Sequence, residues 1–352
     1  MRKLRKKRLL ICLGILLAVL AVPIVINHFR TSYTSLNKTD QAIIGEIDTY
    51  FKKNKEENIW EGYHLEDKTV VVVNKRLGNL YLFNPKEEVH SPLAAKITMP
   101  GSSQLAVYRL CILTPETIPI RFNIGSFNGI GEHYKLFGNE VYFLRYNQEE
   151  SVEASYSSKH FITLLTHEAF HYYMQDKWAG GSRFSKELSE QDLELLKQEN
   201  VLLTDIQTEL SKEKLSKAQL LQYAKEYAKV MRARIADNTD YLKAELSMET
   251  AEGTAQYIGI KASEMVGYDY GVMYFDNMKD VPFSETNILL EKEGIDKSFL
   301  ANRMPYETGA LLCLLLDELE VKGWKEKLNE QTLDHPVTLC SILLEYVEKN
   351  GL

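Results

Sequence analysis

His167 and His171 stand four residues apart with Glu168 between them, in the stretch Phe161-Ile-Thr-Leu-Leu-Thr-His-Glu-Ala-Phe-His-Tyr-Tyr173. Side chains four apart on an α-helix share a face, one turn above each other, so both imidazoles can aim a nitrogen at one ion. Neutral imidazoles suit Zn²⁺, which in catalytic sites takes three protein ligands and keeps a fourth position for water. A carboxylate beside that position, here Glu168, can take a proton from water whose pKa the ion has lowered. The chemistry implied is metal-assisted hydrolysis. The flanks fit a helix lying beneath a cleft, since residues 161–166 and 169–174 carry no charge. A core helix whose histidines are satisfied by hydrogen bonds is the alternative reading, and a metal would require a third ligand. The stretch best placed to supply one is Glu249-Thr-Ala-Glu-Gly-Thr-Ala-Gln-Tyr257.

Taken together, His167-Glu168-x-x-His171 and the later Glu252-Gly-Thr-Ala-Gln-Tyr resemble the gluzincin metallopeptidases, whose third zinc ligand is a Glu on a second helix. The resemblance implies one zinc per chain, held by His167, His171 and Glu252. Glu249, one turn earlier, would orient a ligand histidine, as metal-bound imidazoles generally require. An exchange of roles between Glu249 and Glu252 stays open, and Glu245 lies on the same stripe. The small residues after Glu252 match the family, where they let two helices approach closely. Related zinc peptidases also place a Tyr on a later helix, where it donates a hydrogen bond to the oxyanion. Tyr306, or failing it Tyr257, would fill that role, with Arg303 as an anchor for a substrate carbonyl or carboxylate. The likeness is confined to these motifs. No Gly-x-Met-Glu-Asn precedes the histidines, no Asn-Glu-x-x-Ser-Asp follows them, and no third His stands at metzincin spacing. An endopeptidase fits better than an aminopeptidase.

The N-terminus carries a different signal. Six of the first eight residues are Lys or Arg, and residues 9–26 follow without a charge. At about 1.5 Å per residue the run just spans a bilayer core. Its basic flank would hold the N-terminus in the cytoplasm, and no small-x-small cleavage site follows cleanly. The expected organisation is a cytoplasmic basic segment 1–8, a transmembrane anchor 9–27 and a tether 28–40, with the remainder outside the cytoplasm of a single-pass cell-membrane protein.

Beyond the anchor the composition is that of a folded domain, with 45% hydrophobic and 26% charged residues over the chain. Without the six N-terminal positives, 36 basic face 49 acidic residues, a balance that argues against nucleic acid or anionic lipid as the ligand of the remaining surface. Cys111, Cys313 and Cys340 sit among apolar neighbours and read as buried thiols.

The predicted fold class is α+β, zincin-like, with a β-rich N-terminal lobe over 41–150 and a helical zinc-binding lobe over 151–352. A helix is expected from Asp40 to about Lys55. Strands are expected at Thr69–Val73, Leu80–Phe83, Leu105–Leu113, Arg121–Ile124 and Val141–Arg145, in a mostly antiparallel sheet. Val141–Tyr146 is either an edge strand that could hold a peptide by main-chain pairing or an interior strand. Ala179-Gly-Gly181 reads as the terminator of the zinc helix. Residues 182–252 lack Gly and Pro, and Ser189-x-x-Asp192 and Ser216-x-x-Gln219 are capping patterns. These predict a helical insertion over 182–245, as a wall or lid, with Leu220, Tyr223, Tyr227 and Met231 as a core stripe. Residues 267–284 read as exposed turns, with substrate contact as the alternative, His160 as a satisfied surface histidine, with support of the site histidines as the alternative, and 337–349 as a final helix. The functional expectation is a membrane-anchored zinc metallopeptidase acting on peptide or protein substrates near the membrane. The alternative is a non-catalytic, membrane-tethered binding or scaffold protein that retains a peptidase fold.

Overall fold

The computed structural model describes residues 14, 18–19, 21–75, 78–178, 188–296 and 298–351. The fold is mixed α and β and divides into two compact units. One comprises residues through Glu57 together with His64–Glu153, and the other comprises Asn58–Tyr63 with Ala154–Leu352. The sequence placed a single boundary near 150. It did not foresee that the hexapeptide 58–63 belongs to the second unit.

In the first unit, helix α1 (Lys38–Glu57) accompanies a six-stranded sheet. Its strands are β1 (Val70–Asn74), β2 (Leu80–Phe83), β3 (Ala94–Lys96), β4 (Val107–Leu110), β5 (Tyr134–Leu136) and β6 (Asn139–Tyr146). The order is β3-β4-β2-β1-β6-β5. All pairings are antiparallel except β1 with β6. Val71, Val73, Leu80, Leu82, Tyr108 and Phe143 bury one face. Val70, Val72, Tyr81 and Phe83 alternate to the other, where the Tyr81 hydroxyl donates to Asp40 of α1. A sheet covered on both faces explains why β1 is a continuous valine run rather than an alternating one.

One open alternative is resolved and one strand expectation needs correction. Val141–Tyr146 is interior, flanked by β1 on one side and by β5 and a bridge from Phe127 to Leu144 on the other, so it offers no free edge for main-chain pairing. Arg121–Ile124 is not a strand. Pro115 and Pro119 favour helical turns here, giving the short helix α2 (Ile118–Arg121), after which the Asn123 side chain accepts from Gly125 N and turns the chain.

The second unit is helical: α3 (Phe161–Met174), α4 (Glu190–Leu210), α5 (Lys217–Asp237), α6 (Thr239–Val266), α7 (Glu285–Glu291), α8 (Ser298–Asn302), α9 (Met304–Glu318), α10 (Trp324–Asn329) and α11 (Leu339–Lys349). Ser189 and Ser216 cap α4 and α5 as their patterns predict. Leu220, Tyr227 and Met231 are fully buried, so the α5 stripe is core. The insertion is not a detached lid. Buried Arg234 of α5 binds Asp192 and Glu199 of α4 and Glu245 of α6, which locks all three helices together. Trp60 packs its ring against Phe170, Trp178, Tyr257 and Trp324, and the Tyr63 hydroxyl donates to the Thr166 carbonyl, which seats the hexapeptide in this unit.

No helix among the described residues is long and apolar enough to cross a membrane. The basic segment 1–8 and most of 9–20 lie outside the described residues, as does Ala179-Gly-Gly181. Residues 21–27 are helical. Cys111, Cys313 and Cys340 are buried and unpaired, as expected.

Candidate metal centre

Three helices build the site, and glycines set their spacing. A Cβ on Gly259 of α6 would sit 3.1 Å from the Thr163 methyl of α3 and 3.2 Å from its carbonyl oxygen. A Cβ on Gly253 would fall 2.3 Å from Gly309 Cα of α9, which no side chain tolerates. The Gly after Glu252 therefore admits α9, while Gly259 admits the histidine helix. Thr163 and Ser263 hydroxyls, 2.6 Å apart, pin the α3–α6 crossing.

At that crossing the structure brings together His167, His171 and Glu252. The two Nε2 atoms are 3.1 Å apart, and Glu252 Oε2 lies 3.1 Å from His171 Nε2 and 3.5 Å from His167 Nε2. A tetrahedral ion with bonds of about 2.0–2.1 Å has donor–donor edges of about 3.3–3.4 Å, so this triangle matches one face of zinc coordination. The His171 and Glu252 side chains each keep 19% of their surface exposed, so the triangle is reachable from solvent. Glu168 places a carboxylate oxygen within 4.8 Å of both imidazoles.

The donor set has the right protonation for a cation. The Gln175 amide nitrogen donates to the Ala251 carbonyl and to Thr254 Oγ1, whose own proton goes to Thr250. That fixes Gln175 Oε1 against His171 Nδ1 at 2.6 Å, so Nδ1 carries hydrogen and the Nε2 lone pair is free to bind a metal. Burial works to lower the His171 pKa, yet hydrogen bonding and the charge of Glu252 raise it above the ordinary value. For Glu252, burial alone would raise the carboxyl, but hydrogen bonds and charge from His167 and His171 outweigh it and hold the group well below the usual carboxylate range. Burial pushes Glu168 up, His167 and His171 oppose that, and Glu252 adds to it. The pocket favours positive charge at the meeting point of three donors, and these residues fit a zinc ion.

Gln175 is the site residue that the sequence reading missed. It lies four residues beyond His171, on the same face, in a stretch expected to continue as helix to Ala179. The helix ends at Met174 instead, because the Gln175 side chain is engaged with α6. Glu249 is neither a ligand nor the partner of a histidine. It is buried, accepts from the Thr308 hydroxyl at 2.7 Å, and has its pKa pushed up to about 8, chiefly by burial. Glu245 belongs to Arg234.

Tyr306 lies beside the site, its ring parallel to that of His167 at 5.9 Å between centroids. Tyr257 does not: it is buried, its hydroxyl donating to Asp317 and approached by Lys325. Arg303 stacks over Tyr306 and Phe275 and pairs with buried Glu307 at 2.5 Å, so its charge is already engaged. His160 is not a surface histidine; it is buried and stacked on Tyr268 at 3.5 Å. The loop after α6 is likewise more than exposed turns, since Tyr270, Val272 and Met273 are buried and Met273 N donates to Glu307.

Comparison with family models, curated proteins and solved structures gives no match to this chain. The functional reading therefore rests on the site itself.

Proposed function

We propose that the chain is a membrane-anchored zinc metallopeptidase of gluzincin type, acting as an endopeptidase on peptide or protein substrates near the membrane. The observation that carries the proposal is the triangle of His167, His171 and Glu252, with tetrahedral edge lengths and the Gln175-fixed tautomer. A zinc ion bound there would supply Lewis-acid polarisation of the scissile carbonyl and an acidified water. Glu168 takes a proton at its carboxylate and returns it to the leaving amine. Tyr306, beside His167, is assigned the hydrogen bond to the developing oxyanion. Arg303 and Glu307 keep the Tyr306 ring in place.

The test uses the full chain. Wild type should bind one zinc, Glu252→Ala should lose it, and Glu168→Gln should keep it while hydrolysis of unfolded casein falls by about 10²–10⁴-fold. A wild-type protein without zinc after folding in its presence would sink the proposal. Zinc bound by the Glu168→Gln and wild-type chains alike, with no hydrolysis by either, would favour the tethered binding protein.

A further inference from the structure

The first unit gathers exposed apolar side chains at one end of its sheet. Ile112, Ile118, Phe122 and Ile124 are exposed by 51%, 53%, 77% and 105%, all within the excursion between β4 and β5. Exposed apolar groups collected in one place mark an interaction surface rather than a solvated one.

Strand register locates them. Ala94, Leu110, Leu80, Val73 and Arg145 stand side by side across β3, β4, β2, β1 and β6. Ile112 follows Leu110 by two residues. At the other side of the row, Arg145 N donates to the Ser126 carbonyl at 2.6 Å and the Arg145 guanidinium reaches the Asn123 carbonyl, so Phe122 and Ile124 bracket a residue held at the same end.

The N-terminal segment arrives at this end too. The Asn27 amide donates to the Arg109 carbonyl at 3.1 Å and to the Leu93 carbonyl at 3.3 Å, and Arg109 donates back to the carbonyls of Asn27 and Phe29. Asn27 is where the uncharged run 9–26 finishes, and the helical residues before it expose Val22, Val25 and Ile26. Phe29, just beyond, is exposed by 68%. Both apolar groups therefore lie at one end of one sheet, the N-terminal one tied there through Arg109.

We propose that Ile112, Ile118, Phe122 and Ile124 form a membrane-contact face that enters the lipid interface beside the point where the N-terminal segment leaves the bilayer. This rests on the reading of residues 9–27 as the anchor. Apolar side chains at the headgroup boundary give up water there, as in interfacial attachment generally, and the anchor supplies the proximity that so small a patch could not achieve alone. The face fixes the first unit against the membrane instead of leaving it to swing on a tether.

The experiment places a nitrobenzoxadiazole label at Ile124→Cys in the full chain carrying Cys12→Ser; the other cysteines are buried. The control label is at Glu140→Cys, an exposed site near the start of β6, away from Arg145. Both proteins are reconstituted in vesicles of zwitterionic phosphatidylcholine. Expected is loss of the Ile124→Cys emission to nitroxide-bearing lipid with protection from aqueous iodide, and the reverse for Glu140→Cys. Iodide quenching both labels equally would overturn the contact face while leaving the anchor intact. Protection from both quenchers would also overturn it, since protein would then cover the face. A full chain that fails to float with the vesicles would overturn the anchor reading and this proposal with it.

Discussion

Helix α6 carries a carboxylate into each of two buried ionic clusters, Glu245 to Arg234 and Glu252 to the two histidines. The Arg234 cluster is built from the protein's own opposite charges. Its guanidinium donates to Asp192, Glu199 and Glu245, every strong bond is between side chains, and Arg234 itself has no exposed surface. The histidine cluster turns two imidazole nitrogens and a carboxylate oxygen to one point, with Gln175 holding His171, and it keeps a path to solvent. A cation bonded to three carboxylates ties helices together, whereas three metal-ligating side chains converging on one solvent-reachable point fit the proposed zinc.

The comparison can be broken most forcefully at Arg234. Arg234→Met leaves three carboxylates without their cation and should cost about 3–5 kcal/mol in a urea titration, while folded molecules still bind one zinc. Loss of zinc from a well-folded Arg234→Met chain would show that the two clusters are one system. Chelation attacks the other side. With free zinc at about 100 times its dissociation constant, stripping the metal should lower stability by about 2.7 kcal/mol, in a manner that depends on zinc concentration. The Arg234 cluster should be indifferent to chelator.

A finer test uses Gln175→Ala, which removes the acceptor that fixes the His171 tautomer but no ligand. Zinc affinity, measured by competition with a chromogenic chelator, should fall about 10–100-fold. A test by pH concerns Glu249, between the clusters. Its folded pKa of about 8 lies above the ordinary 4.5, so the folded state retains a proton that the unfolded chain has released. Its contribution is undiminished below about pH 4.5 and is lost as pH rises towards 8. Glu249→Gln should flatten that part of the stability profile and gain relative to wild type at the alkaline end. An unchanged profile would place the titration elsewhere, with Glu199, raised to about 7, the first group to examine.

What could be read in advance follows the range of the interactions. His167, Glu168 and His171 declare themselves because four residues make one helical turn, and Glu252 because small residues follow it. Gln175 obeys the same spacing from His171, but its significance depends on Ala251 and Thr254, more than seventy positions away. Arg234 reads as one more charge on a solvated helix, since nothing local reveals that three carboxylates surround it. Strands β3 and β5, of three residues each, are too short to show a period. Arg121–Ile124 reads as a strand by its alternation, whereas it forms the end of a short helix and a turn with Phe122 and Ile124 exposed. Hydrophobicity alone does not distinguish a core side chain from one at the surface.

The hexapeptide 58–63 limits how the protein can be taken apart. A fragment starting at Ala154 would contain the histidines, Glu252 and Tyr306, yet lack the indole that fills the space among Phe170, Trp178, Tyr257 and Trp324. Aromatic side chains bury about 150–250 Å² each, so such a fragment would begin with a hole directly behind α3. During synthesis the hexapeptide emerges long before the helices that receive it, and closure of the second unit must wait for its last long helices. The stretch that builds the first unit thus carries a piece of the histidine-bearing unit within it, and no single cut in the chain separates the two.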